Sequence, residues 1–299
     1  MTVHTVAIMG AGDMGHAVGR ALKDSGLDVV TCLSGRSEHT RRLAADAGMR
    51  EAPDLPALVG EADLFLSIMP PATAPQFAEE VAAAMGSAGK TPHYADCNAV
   101  SPATSRRIAA VVQAAGAGYT DAGIIGSAPG KGAPPRFYAS GPDTSAIEEL
   151  DGRGITVKPV GVEIGRASAI KMCYAALTKG TNALYVAVAT AAESLGILPE
   201  LGEEFAASQA RVWESMRSAV PRMPTDAGRW IGEMEEITAT FDAAGVTGKF
   251  HEGAADIFRL LDKTPFASET RQTLDTSRTL EEAVRVYVQH LSQGQPAAD

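Results

Sequence analysis

Val6-Ala7-Ile8-Met9-Gly10-Ala11-Gly12-Asp13-Met14-Gly15 is the stretch on which the reading of the whole chain turns. Four apolar residues run into glycines spaced G-x-G-x-x-G. Met14, Val18, Ala21 and Leu22 then recur at helical spacing until Ser25-Gly26 stops them. Leu27 to Leu33 reads as a second strand. Strand, glycine turn, helix, strand is the context in which this motif carries weight. Gly10 allows a tight turn, Gly12 lets the backbone approach a pyrophosphate, and Gly15 lets the helix pack close on the strand. Ala11, Asp13 and Met14 complete the loop, whose first helical N–H groups would face the phosphates. A bare strand-to-helix turn is the alternative, and the βαβ setting favours dinucleotide binding over it.

The same alternation continues outward. Ser37 can cap a helix from Glu38 to about Ala47, and Asp54 with Pro56 opens a short one ending near Gly60. Asp63 to Met69 is a strand stopped by Pro70-Pro71. Thr73 and Pro75 start a helix with Phe77, Val81 and Met85 on one face, and His93 to Cys97 is the next strand. Ser101-Pro102 supplies an N-cap and a first helical residue. Gly118–Ala122, Arg136–Ser140 and Ile155–Val160 read as later strands. This rhythm predicts a Rossmann-type, doubly wound, mostly parallel α/β sheet over residues 1–164. From Arg166 to about Leu195 there is no proline, which predicts one helix of about thirty residues, roughly 45 Å long. Further helices are expected over about 200–218, 226–244, 250–262 and 268–292. Residues 165–299 thus read as an all-α domain for substrate binding and dimerisation, joined to the first by the long helix.

At 299 residues the chain has material for two domains, and its net charge of −10 argues against a nucleic-acid or anionic-membrane surface. Cys32, Cys97 and Cys173 lie in apolar contexts and are expected to be buried, reduced thiols of a cytoplasmic protein. No Cys/His cluster has metal-ligand spacing, so no metal is expected. Nothing at the start reads as a basic-then-apolar leader. The most apolar later run, Met172–Leu198, is interrupted by Lys179, Asn182 and Glu193, which suits a buried or shared helix and no membrane span. A homodimer through this helix is the expectation.

A loop built for NAD carries an acid about twenty positions beyond the glycines, to hold the ribose 2′-hydroxyl. Here the second strand ends Cys32-Leu33-Ser34-Gly35-Arg36-Ser37, with no acid at its tip. Ser34, Gly35, Arg36 and Ser37 suit a 2′-phosphate, which a carboxylate would repel. Arg41 and Arg42 follow on the next helix, where at least one is expected to be a solvated charge. The predicted cofactor is NADP(H).

Three later stretches carry the chemistry. Met69-Pro70-Pro71 and Asp96-Cys97-Asn98 close two successive strands, where ligands of open α/β sheets bind. Met69, Pro70 and Asn98 are therefore expected on the nicotinamide side. Asp121-Ala122-Gly123-Ile124-Ile125-Gly126-Ser127 follows, and then Lys171 near the start of the long helix. Lys171 has apolar neighbours in Ile170, Met172 and Cys173 and shares a helix face with Tyr174, Thr178 and Asn182. Burial would lower its pKa toward the range of proton exchange at neutral pH. The bland alternative is a surface lysine whose stem covers apolar area. Lys179 and Tyr185 read as helix-surface or core residues, His251 as a capping or exposed one, and Lys131 and Arg136 as solvated loop charges.

In order and spacing, these segments resemble the β-hydroxyacid dehydrogenase family, which includes 3-hydroxyisobutyrate and 6-phosphogluconate dehydrogenases. Arg229–Ile237 and the stretch from Gly253 to Pro265 are similar to a less characterised, phosphogluconate-dehydrogenase-like branch. The resemblance implies that Lys171 is the catalytic lysine, with Gly126, Ser127 and Tyr174 about the substrate. It also exposes departures: Ala167 where the family has glycine, Tyr174 where it has a substrate-binding asparagine, and Ile125 in place of a loop serine. The implied activity is an NADP-dependent transfer of hydride between nicotinamide and a small hydroxy acid or alcohol, or its carbonyl form, with Lys171 moving the proton. The alternatives are an imine reductase on the same scaffold and a non-catalytic NADP(H)-binding protein.

Overall fold

The computed structural model describes residues 2–291. In chain order the elements begin β1 (Thr5–Met9), α1 (Asp13–Asp24), β2 (Asp28–Cys32), α2 (Glu38–Asp46), β3 (Arg50–Ala52), α3 (Leu55–Glu61) and β4 (Leu64–Ser67). They continue α4 (Ala74–Ala88), β5 (His93–Asp96), α5 (Pro102–Ala114), β6 (Tyr119–Ile125), β7 (Arg136–Ser140), α6 (Ser145–Glu148) and β8 (Thr156–Pro159). After these come α7 (Arg166–Ser194), α8 (Leu198–Ser208), α9 (Ala210–Ala219), α10 (Pro224–Ala243), α11 (Lys249–Asp262) and α12 (Leu280–Gln289). The chain divides into two compact units, Met1–Cys173 and Tyr174–Asp299, with the division inside α7. Among the described residues no helix is long and apolar enough to cross a membrane.

The first unit is one eight-stranded sheet in the order β3-β2-β1-β4-β5-β6-β7-β8. Its strands pair in parallel except β6 with β7, where Asp121 lies opposite Ser140. Both faces are buried, and the period-two alternation sorts the strand residues between them. Val6, Ile8, Leu64 and Leu66 pack on one side, while Ala7, Met9, Phe65 and Tyr94 pack on the other. The parallel pairing of β1 to β6 puts their carboxyl ends at one edge, while β7 and β8 run the opposite way. The chain reverses its winding at β1, which has β2 on one side and β4 on the other. That is where a crevice opens in such folds.

Caps expected from the sequence are present. Ser37, Asp54 and Ser101 each accept a backbone N–H three residues on, starting α2, α3 and α5. The three-residue edge strand β3, Arg-Glu-Ala, has no hydrophobic pattern to announce it.

The second unit departs from expectation in two places. The helix expected over 200–218 is broken at Gln209, whose φ of −139° and ψ of 46° leave the helical region. The break folds α9 back so that Trp213 lies against Gly202, where a Cβ would come 2.9 Å from the indole, and 5.9 Å from Phe205. A continuous helix would carry those residues apart. The helix expected over 268–292 begins only at α12. Thr270, Thr273 and Asp275 turn their side chains onto nearby backbone N–H groups, and the Ser277 hydroxyl donates to Asp275, the local competition that disfavours helix. Thr279 and Glu282 then form a reciprocal capping box. Residues 292–299, the end of that expected helix included, lie outside the described residues.

Two single-residue expectations also change. Cys173 is exposed, not buried. Helical rotation after buried Met172 turns positions 173 and 174 outward and brings Ala175 and Ala176 back in. His251 is buried with its ring 4.4 Å from that of Phe241, edge on, and burial lowers its pKa.

Candidate active site

The three glycines of the first loop differ in what demands them. At Gly10, φ is +91° and a Cβ would sit 1.9 Å from the Ile68 carbonyl oxygen. At Gly15 a Cβ would sit 2.1 Å from the Gly10 carbonyl oxygen, so α1 can approach β1 only without a side chain there. At Gly12 it would meet nothing within 4 Å. Gly12 is also the N-cap of α1 and offers no side-chain acceptor. Internal packing thus accounts for two glycines, while the third leaves open space at the positive end of a helix. A dinucleotide pyrophosphate fits that cradle.

At the end of β2, Gly35 takes φ +70° and Arg36 N–H donates to the Leu33 carbonyl at 3.1 Å, which closes the turn. The Ser37 hydroxyl is spent on capping, accepting from Thr40 N–H at 3.2 Å. Arg41 is structural: it donates to the Leu33 carbonyl at 2.6 Å and pairs with Glu51 at 3.4 Å. Among the described residues the Arg36 guanidinium meets no carboxylate, and Ser34 and Gly35 are exposed beside it.

The ends of β4 and β5 are pinned together by Asn98. Its Nδ2 donates to Ser67 Oγ at 3.0 Å and to Asp96 Oδ1 at 2.5 Å, while its Oδ1 accepts from Met69 N–H at 2.6 Å. The residue is buried, so it shapes the Met69-Pro70 loop from beneath. Pro70 itself is exposed.

Asp96 lies fully buried under this loop. Loss of hydration pushes its pKa up to about 7, opposed by hydrogen bonds from Asn98 and reinforced by the nearby Asp121. An acid whose folded pKa is raised favours folding while protonated. Its contribution is complete below the ordinary carboxylate range and is lost as pH rises toward 7. Asp96→Asn should therefore remove a downward slope of up to about 1.4 kcal/mol per pH unit between roughly pH 4 and 7. Urea melts of both proteins across that window measure the difference, and parallel profiles would contradict the assignment.

Lys171 is placed by three contacts that sequence spacing does not reveal. Asp121, buried on β6, accepts from Gly165 N–H at 2.9 Å and from Ser168 N–H at 3.0 Å, and so caps the start of α7. Ser140 Oγ donates to Asp121 at 3.0 Å and accepts from Ala167 N–H at 3.0 Å. At Gly123 a Cβ would lie 2.9 Å from both the Ala167 carbonyl oxygen and Lys171 Cβ, so the helix rests directly on the strand. The half-buried Lys171 then donates from Nζ to the Ile124 carbonyl at 2.9 Å. Gly126 (φ +118°) and Ser127 are exposed immediately beyond β6, whereas Ile125 is buried within it. The exposed part of this loop therefore starts at Gly126. The first unit thus brings the glycine crevice, Asn98, Gly126, Ser127 and Lys171 to strand ends and helix starts of one sheet. Tyr174, on the same helix, belongs to the second unit and is half exposed.

Residues 5–151 match the NAD binding domain of 6-phosphogluconate dehydrogenase, and residues 192–261 match a domain of unknown function, DUF1932. An uncharacterised 28.5 kDa protein of Methanothermus fervidus is 30% identical over 198 residues, covering 66% of this chain and 74% of that one.

The chain belongs to the β-hydroxyacid dehydrogenase family.

The N-terminal domain marks this family member as a binder of a nicotinamide cofactor. A solved protein of unknown function, described as structurally similar to 3-hydroxyacid dehydrogenases, shares 29% identity at a TM-score of 0.62, over 86% of this chain and 96% of its own. The 3-hydroxyisobutyrate dehydrogenase of Mycobacterium tuberculosis, solved with L-serine, has a TM-score of 0.65 at 19% identity, covering 95% and 99%. A reductive aminase of Aspergillus terreus, solved with NADPH4, cyclohexanone and allyl amine, matches at a TM-score of 0.54 and 19% identity, covering 95% and 99%. At such identities these last two show shared fold alone.

Proposed function

We propose that the chain is an NADP-dependent oxidoreductase acting on a carbon that bears a hydroxyl or carbonyl, in a small hydroxy acid or alcohol. The observation that carries this reading is Lys171, whose Nζ is set at the carboxyl end of β6 in the unit that holds the glycine loop. The nicotinamide supplies or accepts the hydride. In oxidation the neutral Lys171 amine takes the substrate hydroxyl proton, and in reduction the Lys171 ammonium returns it to the carbonyl oxygen. Gly126 and Ser127 present the substrate loop, with Tyr174 contributing its hydroxyl from α7 and Asn98 fixing the Met69-Pro70 wall. Gly10 through Gly15 cradle the pyrophosphate, and Ser34 to Ser37 face the adenosine ribose. A homodimer through the helical unit completes the reading.

Reduction of C=N is the second reading, prompted by the reductive aminase fold match. A lysine proton shuttle suits oxygen chemistry better, so ketones and aldehydes are expected as substrates over cyclic imines. Comparing NADPH consumption on the two classes tests this.

Cofactor choice rests on Arg36. Arg36→Ala should weaken NADPH binding by about 1.5–3 kcal/mol, the scale of hydrogen bonds to a charged group, while NADH binding barely moves. Fluorescence titration of both cofactors against both proteins is the measurement. A wild-type preference for NADH, or equal affinity, would refute the NADP assignment.

A further inference from the structure

Between α7 and α11 lies an apolar groove of about 520 Å³, lined wholly by residues of the second unit. Leu184 belongs to its α7 wall; Phe250, Ala254 and Ile257 belong to its α11 wall. Two features of that lining stand out. His251 is only 9% exposed, and its Nδ1 is buried with no hydrogen-bond partner. Orphaned polar atoms inside a fold are rare because each carries an uncompensated loss of hydration. The ring is held in place: it lies edge-on to Phe241 at 4.4 Å. The start of its helix is fixed by Asp242 Oδ1, which accepts from Gly248 N–H at 2.8 Å. Opposite this ring is Gly180, in the middle of the 29-residue α7. Glycine is the least favoured residue of a helix interior after proline. No positive φ requires it, and a Cβ would lie 3.8 Å from both Nδ1 and Cε1 of His251, an ordinary contact. Alanine would fit there and strengthen the helix. Neither the backbone nor the packing asks for glycine; what it leaves is a gap facing the orphaned nitrogen.

We propose that this groove is a ligand site for a neutral, mostly apolar small molecule whose single hydroxyl group bonds His251 Nδ1 across the gap at Gly180. The lining holds no Asp, Glu, Lys or Arg, so a charged ligand would be desolvated there without a partner. Burial lowers the His251 pKa, which leaves the imidazole uncharged at neutral pH. A hydroxyl suits such a ring in either tautomer, because it can both donate and accept. The Thr181 side chain lines the same cavity and gives a second polar point beside Gly180. A cavity of roughly 150 Å³ is enough to take up benzene, so this larger one admits two fused rings. None of the lining residues takes part in the hydride transfer proposed above, and the site stands or falls independently of it.

Equilibrium dialysis of the full chain against 1-naphthol and against naphthalene, with and without excess NADPH, tests the site. One equivalent of each should bind, 1-naphthol at least as tightly as naphthalene, and NADPH should displace neither. His251→Phe keeps a ring of similar size and removes the nitrogen. It should weaken 1-naphthol about tenfold, the scale of one hydrogen bond, and leave naphthalene nearly unmoved. Gly180→Ala should raise the thermal unfolding midpoint, narrow the gap and produce the same selective loss. Should His251→Phe fail to fold, Gly180→Ala alone decides. The proposal is overturned by the absence of saturable binding, by displacement with NADPH, or by a wild type that binds naphthalene well and 1-naphthol poorly. It is equally overturned if the variants lose both probes alike or keep full 1-naphthol affinity.

Discussion

Alanine at Lys171 is expected to cut turnover by about 10²–10⁴-fold, the usual loss of a positioned acid/base, with NADPH affinity and thermal stability near wild type. The fold gives the reason for that separation. Lys171 is held through the main chain of α7, by Asp121 and Ser140 at the helix start and by contact at Gly123, and none of these needs its ammonium. The crevice proposed for the cofactor lies at the ends of β1, β2, β4 and β5, elements that the substitution leaves alone. The pH–rate profile should lose one limb. Tyr174→Phe then divides the labour between the two residues. If Tyr174 holds substrate, KM rises with kcat nearly unchanged. If it donates the proton, kcat falls almost as far as in Lys171→Ala, and the double variant is scarcely worse than either single one. A Lys171→Ala protein with full turnover would remove the lysine from the mechanism.

Glu233→Ala should destabilise the helical unit by about 3–5 kcal/mol, the cost of stranding a buried partner charge. Lys179 on α7 and Glu233 on α10 form an ion pair whose side chains are only 14% and 7% exposed, and the Lys179 ammonium also lies 5.9 Å from the centre of the Trp230 ring. Burial pulls the Lys179 pKa below its usual value even against the pull of Glu233, so its charge is already strained by desolvation. Replacing both residues, Lys179→Met with Glu233→Leu, should recover most of the loss, because an apolar pair of similar volume carries no hydration penalty. Urea denaturation of the three variants decides. A double variant as unstable as Glu233→Ala would mean that packing, not charge, sets the cost.

What could be read in the sequence was what repeats or punctuates locally. The G-x-G-x-x-G spacing, the strand–helix rhythm and the Ser and Asp caps each involve residues within one or two turns of each other. They led to the doubly wound sheet, the 29-residue α7 and the helical second unit. What could not be read depends on distant partners. Asp121 caps a helix that starts more than forty residues later, and Gly123 matters because α7 lies on it. Neither role has a local signature. Lys179 read as an ordinary helix residue because Glu233 is 54 positions away. Gln209 carries no breaker signal; the packing of Trp213 on Gly202 and Phe205 makes the break worthwhile. The acid-free tip of β2 was visible at once, but only the structure separates Arg41, tied to Leu33 and Glu51, from Arg36. Asn98 shows the same division. Its position at a strand end was legible, whereas the three bonds that make it a buried pin were not.

The most direct test is transfer of label from NADPH deuterated at C4 to a panel of short 2- and 3-oxo acids, aldehydes and ketones, with cyclic imines alongside. Mass spectrometry reads the products of the wild-type and Lys171→Ala proteins. Deuterium on the carbinol carbon of a carbonyl substrate, abolished or nearly so in Lys171→Ala, is the expected result. Tight NADPH binding with no transfer to any carbonyl, or transfer confined to imines and indifferent to Lys171, would contradict it.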